Sequence, residues 1–142
     1  MQATAERLEQ MLASAGGSIA LIEERLADEL LDFALEVARH VVRAELKVNR
    51  EAVLPVAREA LTSLADDARS LQILAHPTDA DLLRTHLADE IARGQWRIVE
   101  DHRIEAGGLR VLSTAGDVDA TLGTRWRRTL ASLGRDRDWH GE

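Results

Sequence analysis

The sequence predicts an α+β fold in which a long N-terminal dimerisation helix precedes a small domain whose mixed sheet is covered by helices. Apolar residues recur every three, four or seven positions from Ile19 to Leu46, a stretch without proline or glycine, as is typical of a long amphipathic helix. Residues 71–76, 96–100 and 109–113 have strand-like patterns, and helical spacing separates the first two. Strands and helices mixed within one short segment favour the α+β class.

The composition limits the chain to one modest globular domain and favours a cytosolic protein. The chain has 142 residues, of which 45% are hydrophobic, and it contains no cysteine. No segment approaches the roughly 20 consecutive apolar residues of a membrane span. A net charge of -7 argues against non-specific binding to nucleic acid or acidic membranes, which requires a basic surface. The predicted regions are a helical region over residues 1–48, an α+β domain over residues 49–134 and a flexible segment over residues 135–142.

The long helix is predicted over residues 19–46, after a Gly16-Gly17 pair that we expect to interrupt the preceding helical turns. At 1.5 Å per residue it measures about 40 Å, which is longer than a small domain needs for its own core. Its later half is apolar on two faces, so we expect one face to meet its own domain and the other a second copy, as in a coiled coil. The alternative is a buried helix in a monomeric bundle. The predicted dimer contacts are Ile19, Ile22, Leu26, Phe33 and Val37.

A second helix is predicted after Asn49, which is a plausible N-cap residue. Pro55 conflicts with that start, because proline lacks an N–H and clashes with the preceding turn. We therefore expect a kink at Pro55 or a later helix start near Leu54.

A strand and a third helix follow. The strand covers residues 71–76 and ends before Pro77, because the residue before a proline avoids the helical region. Thr78 or Asp79 is then expected to cap a helix that continues through residue 92, and Gly94 is expected to end it.

The segment from Trp96 to Leu133 is predicted to fold as two paired strands, a turn and a final helix. Gly107 and Gly108 can take the positive φ that returns a chain between strands, and Gly116 can do the same in a short turn. Asp119 stands where an N-cap is needed. The apolar face of the predicted final helix comprises Leu122, Trp126, Leu130 and Leu133.

No group of residues in the sequence indicates an active site. The acids and histidines between His76 and His86 are close in sequence, but acids in the first turn of the predicted helix are explained by capping and by the helix dipole better than by metal binding. A strand, and not a helix, follows Gly107-Gly108, which argues against a phosphate-binding loop. We therefore expect no catalytic residues, cofactor or metal, although a site assembled from distant residues remains the alternative.

The last helix carries Arg125, Arg127 and Arg128 on its polar side. These arginines form either a solvated face or a docking site for an acidic or helical partner.

This segment resembles the C-terminal signature of the flagellar assembly protein H family (FliH). That family includes the stator protein of type III secretion injectisomes and is distantly similar to the peripheral-stalk E subunit of rotary ATPases. The residues that carry the resemblance are Ile104, Gly107, Gly108, Val111, Thr114, Gly116, Val118, Asp119, Ala120, Leu122 and Arg125.

The resemblance implies a non-enzymatic homodimer in the cytoplasm at the base of the bacterial flagellum. Such a protein would bind the N-terminal region of the flagellar export ATPase (FliI), restrain its activity as a stator and regulator, and link it to the type III protein transport apparatus. The implied partners also include the cytoplasmic ring of the motor and export-gate proteins, but neither nucleic acid nor a membrane. On this basis Arg125 and Arg128 are the candidate ATPase contacts.

Three alternatives accompany this hypothesis. The first is an injectisome stator protein, the second is an E-type peripheral-stalk subunit of a rotary ATPase, and the more remote third is a small hydrolase or metal enzyme. Members of the FliH family usually carry a longer N-terminal region with Gly-x-x-x-Gly repeats and a ring-binding segment. Neither feature occurs in these 142 residues, so the expectation of ring binding rests on the family alone.

Overall fold

A computed structural model of the chain describes residues 2–64, 70–136 and 138–140. The chain divides into two compact units, one ending at Val42 and the other beginning at Arg43. The described residues of the first unit belong entirely to helix α1, which runs from Gln2 to Val48.

Helix α1 continues through Gly16 and Gly17, so the predicted interruption at this pair is wrong. A glycine costs about 1 kcal/mol relative to alanine inside a helix, and two such costs are small beside the hydrogen bonds of a 47-residue helix. A Cβ atom at either glycine would meet nothing within 4 Å, so no close packing requires these glycines within the described chain.

The second unit is an α+β domain, as predicted. After α1 the chain makes a 3₁₀ turn and then forms four helices and four strands among the residues that the structure describes. In chain order these are the turn Arg50–Ala52, α2 (Val53–Thr62), β1 (Ser70–Ala75), α3 (Pro77–His86), α4 (Ala88–Arg93), β2 (Gln95–Glu100), β3 (Leu109–Ser113), β4 (Gly116–Ala120) and α5 (Leu122–Ser132).

The four strands form one mixed sheet in the order β2-β1-β3-β4, which confirms the predicted mixed sheet. Strand β1 is parallel to β2 and antiparallel to β3, while β3 and β4 are antiparallel. The predicted pairing of β2 with β3 through Gly107-Gly108 is therefore wrong, because β1 lies between them. Helices α3 and α4 make the crossover that a parallel β1–β2 pair requires, and the tight hairpin instead joins β3 to β4 at Gly116.

The core lies between the sheet and its helices. Helix α2 packs on β3 and β4, and helices α3 and α4 pack on β2. Alternate residues of the central strands point into this core, as the period of two predicts. Side chains that are fully enclosed there are Val53, Ile73, Leu83, Leu87, Leu109 and Val111.

Helix α2 begins at Val53, which confirms the later start that was expected near Leu54. Asn49 precedes the 3₁₀ turn and makes no side-chain capping bond, so it does not cap α2 as predicted. Pro55 lies in the first turn of α2, where a backbone N–H would have no intrahelical acceptor and its loss costs little.

The predicted helix over residues 78–92 is two helices, α3 and α4, which meet at Leu87. The N-cap of α3 is His76, and neither Thr78 nor Asp79 takes that position. The Nδ1 atom of His76 accepts a hydrogen bond from the Thr78 N–H at 3.2 Å. Gly94 follows the last residue of α4 as its C-cap, which confirms the predicted helix end.

Candidate functional site

The loop before β3 is held to the start of α3 by one buried hydrogen bond. The Gly107 N–H donates to Oδ2 of Asp79 at 2.8 Å, and only 3% of Asp79 is exposed. Gly107 has a φ of +97°, a conformation that residues other than glycine rarely adopt. A Cβ atom at this position would also lie 3.0 Å from the side chain of Leu46. The predicted positive φ is confirmed at Gly107, and the role of Asp79 is to fix this loop.

Gly108 is needed for a different reason. Its φ is not positive, but a Cβ atom at this position would lie 2.8 Å from the Leu122 nitrogen and 2.9 Å from the Thr121 Cα. Both contacts are with backbone, which cannot rotate away as a side chain can. Gly108 is therefore the point where the loop touches the first residues of helix α5.

The start of α5 is braced by a carboxylate in the strand before it. Asp119 belongs to β4, so its predicted role as N-cap is wrong, and Thr121 is the N-cap residue. Oδ1 of Asp119 accepts from the Thr121 N–H at 3.0 Å and from the Thr121 hydroxyl at 2.7 Å. Its Oδ2 accepts from the Thr124 hydroxyl at 2.9 Å. Asp119 thus supports the cap through Thr121 and Thr124.

The hydrogen bonds also change the acidity of Asp119. Its partial burial acts to raise its pKa, but the donors on Thr121 and Thr124 and the positive charge of Arg110 together outweigh that effect. The pKa of Asp119 is therefore lower than that of an ordinary aspartate, and the network is strongest when the carboxylate is charged.

Trp139 is buried, although it lies in the segment 135–142 that was expected to be flexible; residues 137, 141 and 142 of that segment lie outside the described residues. Only 2% of it is exposed, and its Nε1–H donates to Oε2 of Glu105 at 2.8 Å. The Arg43 guanidinium lies 4.7 Å from the centre of the Trp139 ring and donates to the Trp139 carbonyl at 3.0 Å. The ring of Trp126 meets Trp139 edge-on at 5.4 Å. Trp126, which was predicted to lie on the apolar face of the final helix, thus packs against this second tryptophan.

Arg125 and Arg128 lie on the exposed face of α5. Within the described chain, neither guanidinium has a hydrogen-bond or ion-pair partner. Arg127 differs, because its guanidinium donates to the Gly123 carbonyl at 3.4 Å and to the Thr124 hydroxyl at 3.3 Å. The structure therefore leaves Arg125 and Arg128, the two candidate ATPase contacts, open to a partner. Leu133, which was predicted to lie on the apolar face of this helix, is 57% exposed.

The predicted dimer contacts lie in the first unit. All are exposed, from 45% for Val37 to 69% for Phe33, and no residue of α1 is buried within the described chain. Five large apolar side chains at helical spacing thus remain in solvent in a single copy. They are Ile19, Ile22, Leu26, Phe33 and Val37.

The acids and histidines between residues 76 and 86 are directed to separate structural contacts. Asp79 binds Gly107, Asp81 pairs with Arg84 at 3.1 Å, and His86 contacts the Leu82 carbonyl at 3.0 Å. Among the residues that the structure describes, no cluster of three potential metal ligands occurs. No helix in that same part is long and apolar enough to cross a membrane.

These features define an α+β protein that combines an exposed apolar helix surface with a glycine-dependent loop and a braced arginine-bearing helix. A family model described as flagellar assembly protein FliH matches residues 2–129. The chain therefore belongs to the FliH family of flagellar assembly proteins, which confirms the family that the resemblance indicated.

Curated relatives agree with this assignment. The chain is 26% identical over 121 residues to the flagellar assembly protein FliH of Salmonella typhimurium, an alignment that covers 85% of this chain and 52% of that protein. It is 26% identical over 121 residues to the protein of the same name from Escherichia coli, covering 53% of its length. The chain is 21% identical over 122 residues to the FliH of Buchnera aphidicola, and this alignment covers 55% of that protein. The chain thus spans about half the length of the curated relatives it matches. Its family membership supports a role in flagellar assembly.

Proposed function

We propose that this chain is a non-enzymatic regulator and stator of the flagellar type III export ATPase. In this proposal it binds the N-terminal region of the ATPase as a homodimer, restrains its activity and links it to the export apparatus at the cytoplasmic base of the flagellum. The observation that carries the proposal is the position of the family's signature residues. Two of them, Gly108 and Asp119, contact the start of α5, the helix that presents Arg125 and Arg128.

The braced helix suits a binding role because it presents its charges on a rigid element. Gly108 sets the approach of the loop to Leu122, and Asp119 satisfies donors in the first turn. A side chain on such a helix loses less freedom on binding than one on a loop. Exposed arginines contribute chiefly to the rate and specificity of association with an acidic surface.

The homodimer is supported by the exposed apolar residues of the first unit. Each such side chain contributes about 25 cal/mol for every Å² of apolar surface removed from water. Monomeric proteins rarely leave a large continuous apolar patch exposed. A second copy of the same helix offers a matching apolar surface, as in a coiled coil.

A charge-reversal experiment tests the proposed ATPase contact. We expect the Arg125→Glu, Arg128→Glu double variant to bind the export ATPase at least tenfold more weakly and to relieve its inhibition, because acidic partner groups would be repelled. Arg93→Glu with Arg97→Glu is the matched control, since both residues are exposed and the charge change is the same. Isothermal titration calorimetry measures the affinity and circular dichroism checks folding. If the folded test variant and the control bind the ATPase with equal affinity, the contact does not lie on α5.

The partner that co-purifies separates this function from its relatives. An injectisome ATPase would indicate a stator of a secretion injectisome, and a rotary ATPase would indicate an E-type peripheral-stalk subunit. Interaction with the motor's cytoplasmic ring or with export-gate proteins belongs to the same proposal and can be tested by the same purification. Nucleotide turnover by the purified chain, free of contaminating ATPase, would contradict the non-enzymatic role.

A further inference from the structure

A cleft of about 590 Å³ lies in the second unit, and the arginines of α5 are not among the residues that line it. It is lined by the last turns of α1, the first turn of α3 and the loop before β3. The residues of its wall that matter here are Leu46, Lys47, Arg50, Asp79, Glu105 and Ala106.

Both acids of this cleft already serve internal contacts. Asp79 is buried and accepts the Gly107 N–H at 2.8 Å. Glu105 accepts the Trp139 Nε1–H at 2.8 Å and lies 3.9 Å from the Arg43 guanidinium. These carboxylates are therefore committed to holding the loop and the tryptophan in place.

Two cations of the cleft are not neutralised in this way. Lys47 and Arg50 are exposed, and neither side chain has a hydrogen-bond or ion-pair partner in the part of the chain that the structure describes. Leu46 and Ala106 add half-buried apolar surface beside them. In a chain of net charge -7, this cleft is a local site of uncompensated positive charge.

We propose that the cleft is a docking site for a short acidic peptide segment of a partner protein. Carboxylates of that segment would meet Lys47 and Arg50, and an apolar side chain between them would rest on Leu46 and Ala106. A nucleic acid fits less well, because its affinity comes from many phosphate contacts and the acidic chain would repel it beyond the cleft. The proposal goes beyond the regulation of the ATPase and does not depend on Arg125 or Arg128.

The expected affinity is modest and depends on salt. Exposed ion pairs contribute little individually, so two of them together with one apolar contact favour weak, reversible binding. Screening at high ionic strength weakens such pairs. We therefore expect the loss of both cations to reduce affinity about tenfold, and raised salt to have a similar effect.

Nuclear magnetic resonance of the full ¹⁵N-labelled chain tests this site. The probe is an acetylated peptide of alternating glutamate and leucine, and its glutamine counterpart is the uncharged control. We expect saturable shifts of the amides of Lys47, Thr78 and Ala106 with the glutamate peptide and at least tenfold weaker binding of the glutamine peptide. Lys47→Gln with Arg50→Gln should weaken the binding that these shifts report about tenfold, whereas Arg93→Gln with Arg97→Gln should leave the affinity unchanged.

Several outcomes would overturn the assignment. Equal shifts with inorganic phosphate at the same affinity would indicate a small-anion site, and tighter binding of a short DNA would indicate a nucleic-acid site. Shifts confined to α5, or an affinity that the Lys47 and Arg50 substitutions leave unchanged, would place the peptide elsewhere. The Arg125→Glu, Arg128→Glu variant should bind the peptide normally, so a failure of the proposed ATPase contact would be distinguishable from a failure of this site.

Discussion

Replacing Trp139 with alanine tests whether this residue is docked on the domain, as in the structure, or flexible, as the sequence predicts. Substituting a flexible residue would leave the free energy of unfolding almost unchanged, whereas truncating a buried tryptophan to alanine typically lowers it by about 3–5 kcal/mol. Trp139 also has the cation–π contact with Arg43 and the hydrogen bond to Glu105. These contacts add on the order of 1 kcal/mol each.

We expect less than the full value, because we expect the residues next to Trp139 to be released before the domain unfolds. Ordering each residue costs about 1–2 kcal/mol of backbone entropy, which the released segment would regain. The loss therefore cannot exceed the free energy with which the segment docks. We expect Trp139→Ala to lower the free energy of unfolding by about 1–3 kcal/mol, and Trp139→Phe to lower it by less because the ring contacts remain.

Urea denaturation followed by circular dichroism at 222 nm measures this effect. Variants are compared at one fixed protein concentration, because the stability of an oligomer depends on concentration. His140→Ala is the matched control, since His140 is exposed in the same segment and should change stability by less than about 0.5 kcal/mol. A Trp139→Ala variant as stable as the His140→Ala variant would show that the tryptophan does not dock in solution.

Three further changes test the loop, the brace and the dimer. Gly108→Ala should destabilise the domain by about 1–3 kcal/mol in urea denaturation, because the new Cβ would lie 2.8 Å from backbone. Gly123→Ala is its control. A Cβ atom at that helical position would meet nothing within 4 Å, so this change should be neutral or stabilising. Asp119→Asn should be less stable than the native chain near pH 7. Because the pKa of Asp119 is lowered in the folded state, its carboxylate stabilises the fold above the unfolded pKa of about 3.9. This stabilisation should be lost as the pH falls through the folded pKa. A difference in unfolding free energy between the native chain and the variant that stays constant down to pH 2 would contradict this. Ile22→Asp with Leu26→Asp should convert a dimer to a monomer in sedimentation velocity, and a monomeric native chain would refute the dimer proposal.

The helices and strands were largely predictable because their signals are local. Alternating apolar residues predict the strand that the structure shows as β1, and the helical spacing of apolar residues from Ile19 to Leu46 predicts the long helix. Pro55 correctly indicated that α2 begins late, since its missing N–H is tolerated only in the first turn. Gly16 and Gly17 do not interrupt α1, because the cooperativity of a very long helix outweighs their local cost.

The strand pairing was not predictable from the same signals. Residues 96–100 and 109–113 follow one another with a glycine pair between them, which favours a hairpin locally. The structure inserts β1 between them, because α3 and α4 return the chain parallel to β1 and the next strand then adds to the other side. That choice depends on contacts between residues far apart in sequence.

Trp139 escaped prediction for a related reason. It stands alone among charged residues, so no periodicity accompanies it, and its partners Arg43, Glu105 and Trp126 come from three distant parts of the chain. The only available signal was a large apolar side chain in an otherwise charged segment. Such a residue rarely stays exposed when a partly apolar surface lies within reach.

The signature glycines show why sequence motifs can be recognised correctly and still be misinterpreted locally. Gly107 and Gly108 look like a hairpin turn, yet one is required by its φ and the other by the approach of Thr121 and Leu122. Asp119 looks like an N-cap, yet it acts from the preceding strand through Thr121. Gly108 is thus dictated by the contact between the loop and the start of α5, and Asp119 by its hydrogen bonds from β4 to the same residues. Two residues of the motif therefore help to position α5, the helix that carries Arg125 and Arg128.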